Sequence, residues 1–217
     1  MIDAVIFDSD GVLVDSEPVA NAILAQLLTE LGLPTTTEQS MQAFMGRPFV
    51  HTEAVVAQRT GRPAPPGLRE RYYARVFTAF ERDGLAPVPG IEQALDAIPL
   101  PRCVASSGPR EKVRRALGAA GLLHRFPDGT RFGAEDVVHG KPAPDLFLHA
   151  AATMGFDPAA TAVVEDSPAG VAAGRAAGMV VLGYAGRTPA PLLRAAGATT
   201  VFTQMGELPD LLAARVA

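Results

Sequence analysis

The stretch that decides the fold is Ala4-Val-Ile-Phe-Asp-Ser-Asp-Gly-Val-Leu-Val-Asp-Ser-Glu17. Four apolar residues run into Asp8. Asp10 follows one residue later, and Gly11 separates it from three more apolar residues. The run predicts a short buried strand over 2–8. Carboxylates are costly where the chain is buried, so two of them at a strand end ask for a partner or a ligand. Gly11 lets the chain leave the strand at a φ that other residues avoid, so both side chains can face one centre.

Beyond Asp15-Ser16 the pattern changes. Val19, Ile23, Leu24, Leu27, Leu28 and Leu31 follow helical spacing, with Ser16 as the expected N-cap and Pro18 in the first turn. Residues near 38–45 and 49–60 also read as helix, and Gly61-Arg-Pro-Ala-Pro-Pro-Gly67 is a breaker cluster. Leu68, Tyr72, Tyr73, Val76, Phe77 and Phe80 then mark one face of a helix over 68–82. From Pro87 onward strands and helices alternate. Helix 91–98 leads to strand 103–106, and helix 109–120 leads to a loop around Pro127, Asp128 and Gly129. Helix 144–154 leads to strand 161–165, and helix 167–177 to strand 179–184. A short helix, a strand near 199–202 and a last helix close the chain. Alternation of this kind predicts a doubly wound, Rossmann-like parallel sheet covered on both faces. The expected organisation is an α/β core of residues 1–15 and 84–217, interrupted after its first strand by a helical cap domain, 16–83.

Ligands of such sheets bind beyond the carboxyl ends of the strands. The first strand delivers Asp8 and Asp10 there. The second delivers Ser106 and Ser107, followed by Gly108-Pro109. A junction after 139 delivers Lys141 in Gly140-Lys-Pro-Ala-Pro144, and the strand at 161–165 delivers Glu165 and Asp166. Convergent carboxylates repel unless a cation sits among them, and oxygen ligands suit Mg²⁺. A lysine, hydroxyls and free N–H groups at helix starts suit a phosphate. Metal, phosphate and a free carboxylate together point to phosphoryl transfer through an aspartyl-phosphate.

Composition narrows the classes. The chain has 217 residues, 48% of them hydrophobic, a net charge of −4 and no basic block, which argues against a nucleic-acid surface. Cys103 is the one cysteine, so no internal disulfide forms; mid-strand, it is expected to be buried and inert. No segment approaches a membrane span and no leader precedes the first strand, so a cytoplasmic protein is expected; a small phosphorylated molecule is its expected partner, and a monomer its expected state. Several local patterns have ordinary explanations. Gly133…Gly140-Lys141 lacks P-loop spacing, and Pro142 stands where a hydroxyl is needed. Ser167-Pro168 reads as an N-cap, and Gly170, Gly174 and Gly178 read as close helix packing. His51, His124, His139 and His149 have no ligand spacing.

The segment Asp8-Ser-Asp-Gly-Val-Leu-Val-Asp-Ser-Glu17 resembles the first motif of the haloacid dehalogenase-like hydrolases. Ala105-Ser-Ser-Gly108 is similar to their second motif, Lys141 to their third, and Val164-Glu-Asp-Ser-Pro-Ala-Gly170 to their fourth. All four occur in the family's order across essentially the whole chain. The nearest branch is that of β-phosphoglucomutase and sugar phosphatases. Within it, Ser-Gly-Pro of the second motif and Phe126-Pro-Asp128 resemble the 6-phosphogluconate phosphatases. The resemblance implies roles. Asp8 is the nucleophile and a Mg²⁺ ligand; Asp10 is the general acid and base and lends the metal its backbone carbonyl. Asp166 ligates the metal, and Glu165 supports it directly or through water. Ser106 and Lys141 hold the phosphoryl oxygens. In this reading metal and Lys141 keep Asp8 ionised, while neighbouring carboxylates raise Asp10 so that it can donate a proton. Ser107, Arg47 in Met45-Gly-Arg-Pro48 and Arg71 on the 68–82 helix are the candidates for contact with the rest of the substrate.

The chain departs from the family pattern twice. Ser9 stands where a bulky apolar residue is usual, pointing away from the site. Ala20 stands where mutase-like members tend to carry a histidine. A mutase must suppress attack by water on its aspartyl-phosphate, so the missing histidine favours a plain phosphatase. A phosphosugar mutase with the same centre is the alternative. A receiver-type phosphorylation switch is more remote, because it takes phosphate on a later strand and lacks a cap.

Overall fold

The computed structural model describes residues 1–214. Six strands form one parallel sheet: β1 (Ala4–Phe7), β2 (Arg102–Ala105), β3 (Arg131–Phe132), β4 (Thr161–Glu165), β5 (Val180–Tyr184) and β6 (Thr200–Phe202), in the order β3-β2-β1-β4-β5-β6. β1 is central, with Ile6 opposite Cys103 on one side and Val163 on the other. The strand order reverses around β1, so the crevice outside its carboxyl end is where a doubly wound sheet places its ligand.

Among the described residues ten α-helices accompany the sheet: α1 (Glu17–Glu30), α2 (Thr37–Phe44), α3 (Phe49–Thr60), α4 (Leu68–Asp83), α5 (Ile91–Ala97), α6 (Arg110–Ala119), α7 (Asp145–Met154), α8 (Pro168–Ala176), α9 (Ala190–Ala196) and α10 (Leu208–Ala213). Side chains of β1 alternate between two apolar layers, Val5 and Phe7 into one and Ile6 into the other. Both faces of the sheet are covered, which explains why the central strand β1 reads as an unbroken apolar run. The layer holding Val5 and Phe7 continues into the inserted helices through Leu24, Leu27, Val56, Tyr72 and Phe80.

The two chain links to these helices lie side by side. The Asp15 N–H donates to Ala86 O (3.0 Å) and the Val88 N–H to Leu13 O (3.0 Å). Arg187, after β5, clasps Asp15 with Nη2–Oδ2 at 2.6 Å. Among the described residues no helix is long and apolar enough to cross a membrane.

Two expectations are corrected. β3 falls in the stretch read as loop: it is two residues long, one of them a charged arginine, and so carries no periodicity. Lys141 leaves no strand of its own but a loop that follows β3 and a short 3₁₀ turn at Ala134–Asp136. Cys103 is buried in β2, and burial pushes its thiol up to about 12.

Candidate active site

The first motif closes into a tight loop. Leu13 and Val14 N–H groups donate to Ser9 O (3.0 and 3.1 Å), and Gly11 N–H donates to Val14 O (2.8 Å). Gly11 sits at φ +79°, as the turn requires. A second reason for glycine emerges only in three dimensions. A Cβ there would lie 2.1 Å from Asp166 Oδ2, so the first and fourth motifs meet across a gap that only hydrogen fits. Ser9 is buried, and its Oγ has no hydrogen-bond partner among the described residues.

Lys141 is 7% exposed and ties three elements together. Its ammonium donates to Asp8 Oδ1 (2.6 Å), to Glu165 Oε1 (2.7 Å) and to Ala105 O (3.0 Å), at the ends of β1, β4 and β2. Its Nζ also sits 4.7 Å from the centre of the Phe147 ring. Burial acts to lower this lysine, and Asp8 with Glu165 more than reverses that, so it stays charged.

Glu165 Oε2 accepts from Ser167 N–H (2.8 Å) and Ser167 Oγ (2.9 Å). Both its oxygens are therefore engaged by protein. In this arrangement Glu165 orients Lys141 and the β4–α8 junction. Ser167 is the N-cap of α8 as expected, accepting from Gly170 N–H (3.0 Å). The glycine series divides by cause. Gly174 packs against Val181 and Val163, Gly170 leaves room for the Glu165 carboxylate, and Gly178 takes a left-handed turn in open space.

Asp10 carries the largest surprise. Its Oδ2 accepts from Lys112 Nζ at 2.7 Å, and its Oδ1 from the Ser16 hydroxyl in a short contact. Ser16 precedes α1 but makes no side-chain cap bond; its hydroxyl serves Asp10 instead. Burial raises Asp10, but Lys112, by charge and hydrogen bond, together with Ser16 and Lys141, overrides it and leaves the carboxyl lowered. The expectation that neighbouring carboxylates raise Asp10 is thus reversed. Asp8 shifts the other way, to about 7, because burial, Glu165 and Asp10 outweigh Lys141.

Lys112 escaped the sequence reading because a lysine in a helix is normally solvated. The signal was its position beside Val113 and four before Ala116, on the buried face of α6.

Ser106 is buried and accepts from Gly108 N–H (3.1 Å), and Ser107 is half-buried beside it. Both line a cleft of about 240 Å³ between the strand ends and the inserted helices. Asp8, Asp10, Lys112 and Asp166 form its floor. Ala20, Glu17, Arg47 and the rings of Phe49, Tyr72 and Tyr73 face them from the helical side. Arg47 reaches the cleft from the α2–α3 turn, with Gly46 at φ +70°. Arg71 does not. α4 buries Leu68, Tyr72 and Val76, which leaves Arg71 exposed on the outer side, near the charge of Glu30. The expectation of Arg71 at the substrate is corrected accordingly.

The donor set fits a hard divalent cation. Among the described residues no three acidic, histidine or cysteine side chains form a ready metal cluster. Mg²⁺ needs no such cluster, since one or two carboxylates with water and substrate oxygens suffice. Asp8 and Asp166 are two carboxylates that line the same cleft as Asp10. Burial, followed by the surrounding acids, pushes Asp166 well above the usual carboxylate range, a cost that a cation would relieve.

Comparison with known proteins identifies the family. The family model of haloacid dehalogenase-like hydrolases matches residues 2–178, and the chain belongs to that family. Over 216 residues it is 33% identical to a 6-phosphogluconate phosphatase of Escherichia coli, covering 99% of this chain and 96% of the relative. A β-phosphoglucomutase of Mycobacterium tuberculosis is 30% identical over 95% of this chain and 91% of its own. A solved haloacid dehalogenase-like protein from Agrobacterium tumefaciens superposes with a TM-score of 0.84 at 35% identity, with full coverage of both chains. The chain is a phosphoric monoester hydrolase of this family.

Proposed function

We propose that the protein is a Mg²⁺-dependent phosphatase of a small phosphorylated metabolite, a sugar phosphate or sugar-acid phosphate, working through an aspartyl-phosphate on Asp8. The observation that carries this reading is the pairing of two carboxylates with two separate lysines, Asp8 with Lys141 and Asp10 with Lys112, on the floor of one cleft. Two acids held apart by different partners take different chemical roles. The 6-phosphogluconate phosphatase relative supports a sugar-acid phosphate as substrate.

Asp8, Asp166 and the Asp10 carbonyl would hold Mg²⁺. Bound there, the ion would supply positive charge against the phosphoryl oxygens and keep Asp8 ionised. Lys141 and Ser106 would bind phosphoryl oxygens and orient phosphorus toward Asp8. An Asp8 carboxylate oxygen attacks phosphorus as the bond to the leaving oxygen breaks, and that oxygen takes a proton from Asp10, which must first gain that proton against the pull of Lys112. Asp10 then removes a proton from water, whose oxygen attacks phosphorus, frees phosphate and restores the Asp8 carboxylate. The inserted helices exclude bulk water from the cleft during transfer.

Ala20 favours hydrolysis over a mutase outcome. It is buried against the cleft and brings only a methyl group where a proton-handling side chain would otherwise stand. The test is phosphate release from a panel of phosphorylated sugars and sugar acids. Chelation should abolish release and Mg²⁺ restore it, and Asp8→Asn should remove turnover while the fold persists. Full activity after exhaustive chelation, or in Asp8→Asn, would refute the mechanism. Conversion of β-glucose 1-phosphate to the 6-phosphate with little free phosphate would establish a mutase instead.

A further inference from the structure

Lys112 lines the cleft with its ammonium turned to Asp10. It lies on α6, six residues beyond Ser106, and is 9% exposed. Its stem crosses Gly108, where a Cβ would stand 3.0 Å from Lys112 Cδ. Glycine in the second motif therefore opens the path along which the ammonium reaches the first. There it meets Asp10 Oδ2 at 2.7 Å, in an ion pair whose side chains are 11% and 15% exposed. Asp10 Oδ1 is taken by the Ser16 hydroxyl. The two oxygens are thus gripped from opposite elements, α6 in the core and the start of α1 in the insertion.

The groups facing the ammonium define its task. Glu17 of α1 and Tyr72 and Tyr73 of α4 all lie within its electrostatic reach, and together with Asp10 they keep it charged against burial. With two carboxylates already beside it, the ammonium offers little net attraction to another anion. Its strongest contact is Asp10 itself, held in a single direction.

We propose that Lys112 is the positioning residue of the acid–base carboxylate, fixing Asp10 over the leaving oxygen, with Gly108 leaving room for its stem. This rests on the phosphatase reading above. A misplacement of about 1 Å at a reacting group costs on the order of 10²-fold in rate. Loss of Lys112 should accordingly lower kcat by roughly 10–10² and leave KM within about threefold.

The experiment is a double-mutant cycle with Lys112→Met, which keeps the stem against Gly108 and removes the charge. Wild type, Lys112→Met, Asp10→Asn and the double variant are assayed with 6-phosphogluconate and p-nitrophenyl phosphate. If Lys112 acts through Asp10, the double variant should be no more than about threefold slower than Asp10→Asn alone. kcat/KM, which reads events up to departure of the leaving group, should fall far more for the alkyl ester, because nitrophenolate leaves without a proton. Lys112→Arg should restore part of the loss. Full additivity, or a KM effect with kcat unchanged, would overturn the proposal in favour of an independent or substrate-binding role. Should Lys112→Met not fold, Lys112→Gln carries the same cycle. A wild-type chain that hydrolyses no monoester removes the phosphatase reading and this proposal with it. An active wild type with an equally active Lys112 variant removes this proposal alone.

Discussion

Replacing Gly11 with alanine should separate two demands that meet at one backbone position. The first is conformational. At φ +79° a Cβ crowds the carbonyl, at a cost of roughly 1–2 kcal/mol. In a chain of this size that is a fall in Tm of about 2–8 °C. The second is a collision. The new methyl would stand 2.1 Å from Asp166 Oδ2, so the carboxylate must retreat by about 1 Å to reach even the tight limit of real contacts. Displacement on that scale at a charge-bearing group costs on the order of 10² in kcat, and the Mg²⁺ midpoint should rise with it.

Gly32 supplies the control. Its φ is +78°, and a Cβ there meets nothing within 4 Å. Gly32→Ala should therefore show the thermal loss without the kinetic one. The assay is phosphate release across a Mg²⁺ titration, paired with thermal melts of both variants. Wild-type kcat and Mg²⁺ midpoint in Gly11→Ala would refute the placement of Asp166. An equal kinetic loss in Gly32→Ala would show that backbone strain, not the collision, is responsible.

Two further outcomes are expected. Ser9→Ala removes a buried hydroxyl that has no partner, and should raise stability by about 1 kcal/mol, or 2–4 °C in a melt; a clear fall in Tm would mean that the hydroxyl is satisfied in solution. Arg47→Ala should reduce kcat/KM for the preferred sugar phosphate about tenfold or more, and far less for p-nitrophenyl phosphate, whereas Arg71→Ala should change neither. Equal losses on both substrates would remove Arg47 from selectivity, and a loss in Arg71→Ala would contradict its outward placement.

The sequence alone determined the sheet class and the helical insertion, because both rest on local periodicity: unbroken apolar runs for strands buried on two faces, 3.6-residue spacing for the helices. It also determined which side chains gather at the strand ends. Asp8, Asp10, Ser106, Lys141, Glu165 and Asp166 each sit at a strand-to-helix junction or in the loop that serves one, and junctions on one edge of a parallel sheet converge whatever the details. Tertiary structure decided the pairings. That Lys141 joins Asp8 to Glu165, and Lys112 joins α6 to Asp10, depends on residues more than 100 positions apart meeting in space. No local pattern encodes such a contact, and a lysine in a helix defaults to the solvated reading. Arg47 and Arg71 divide for the same reason. Both stand in the inserted helical segment, Arg47 in a turn and Arg71 within α4, and the packing of α4 turned Arg71 outward while Arg47 stayed at the cleft. The direction of the Asp10 shift followed from this as well, since the sign depends on whether the nearest charge is a carboxylate or an ammonium.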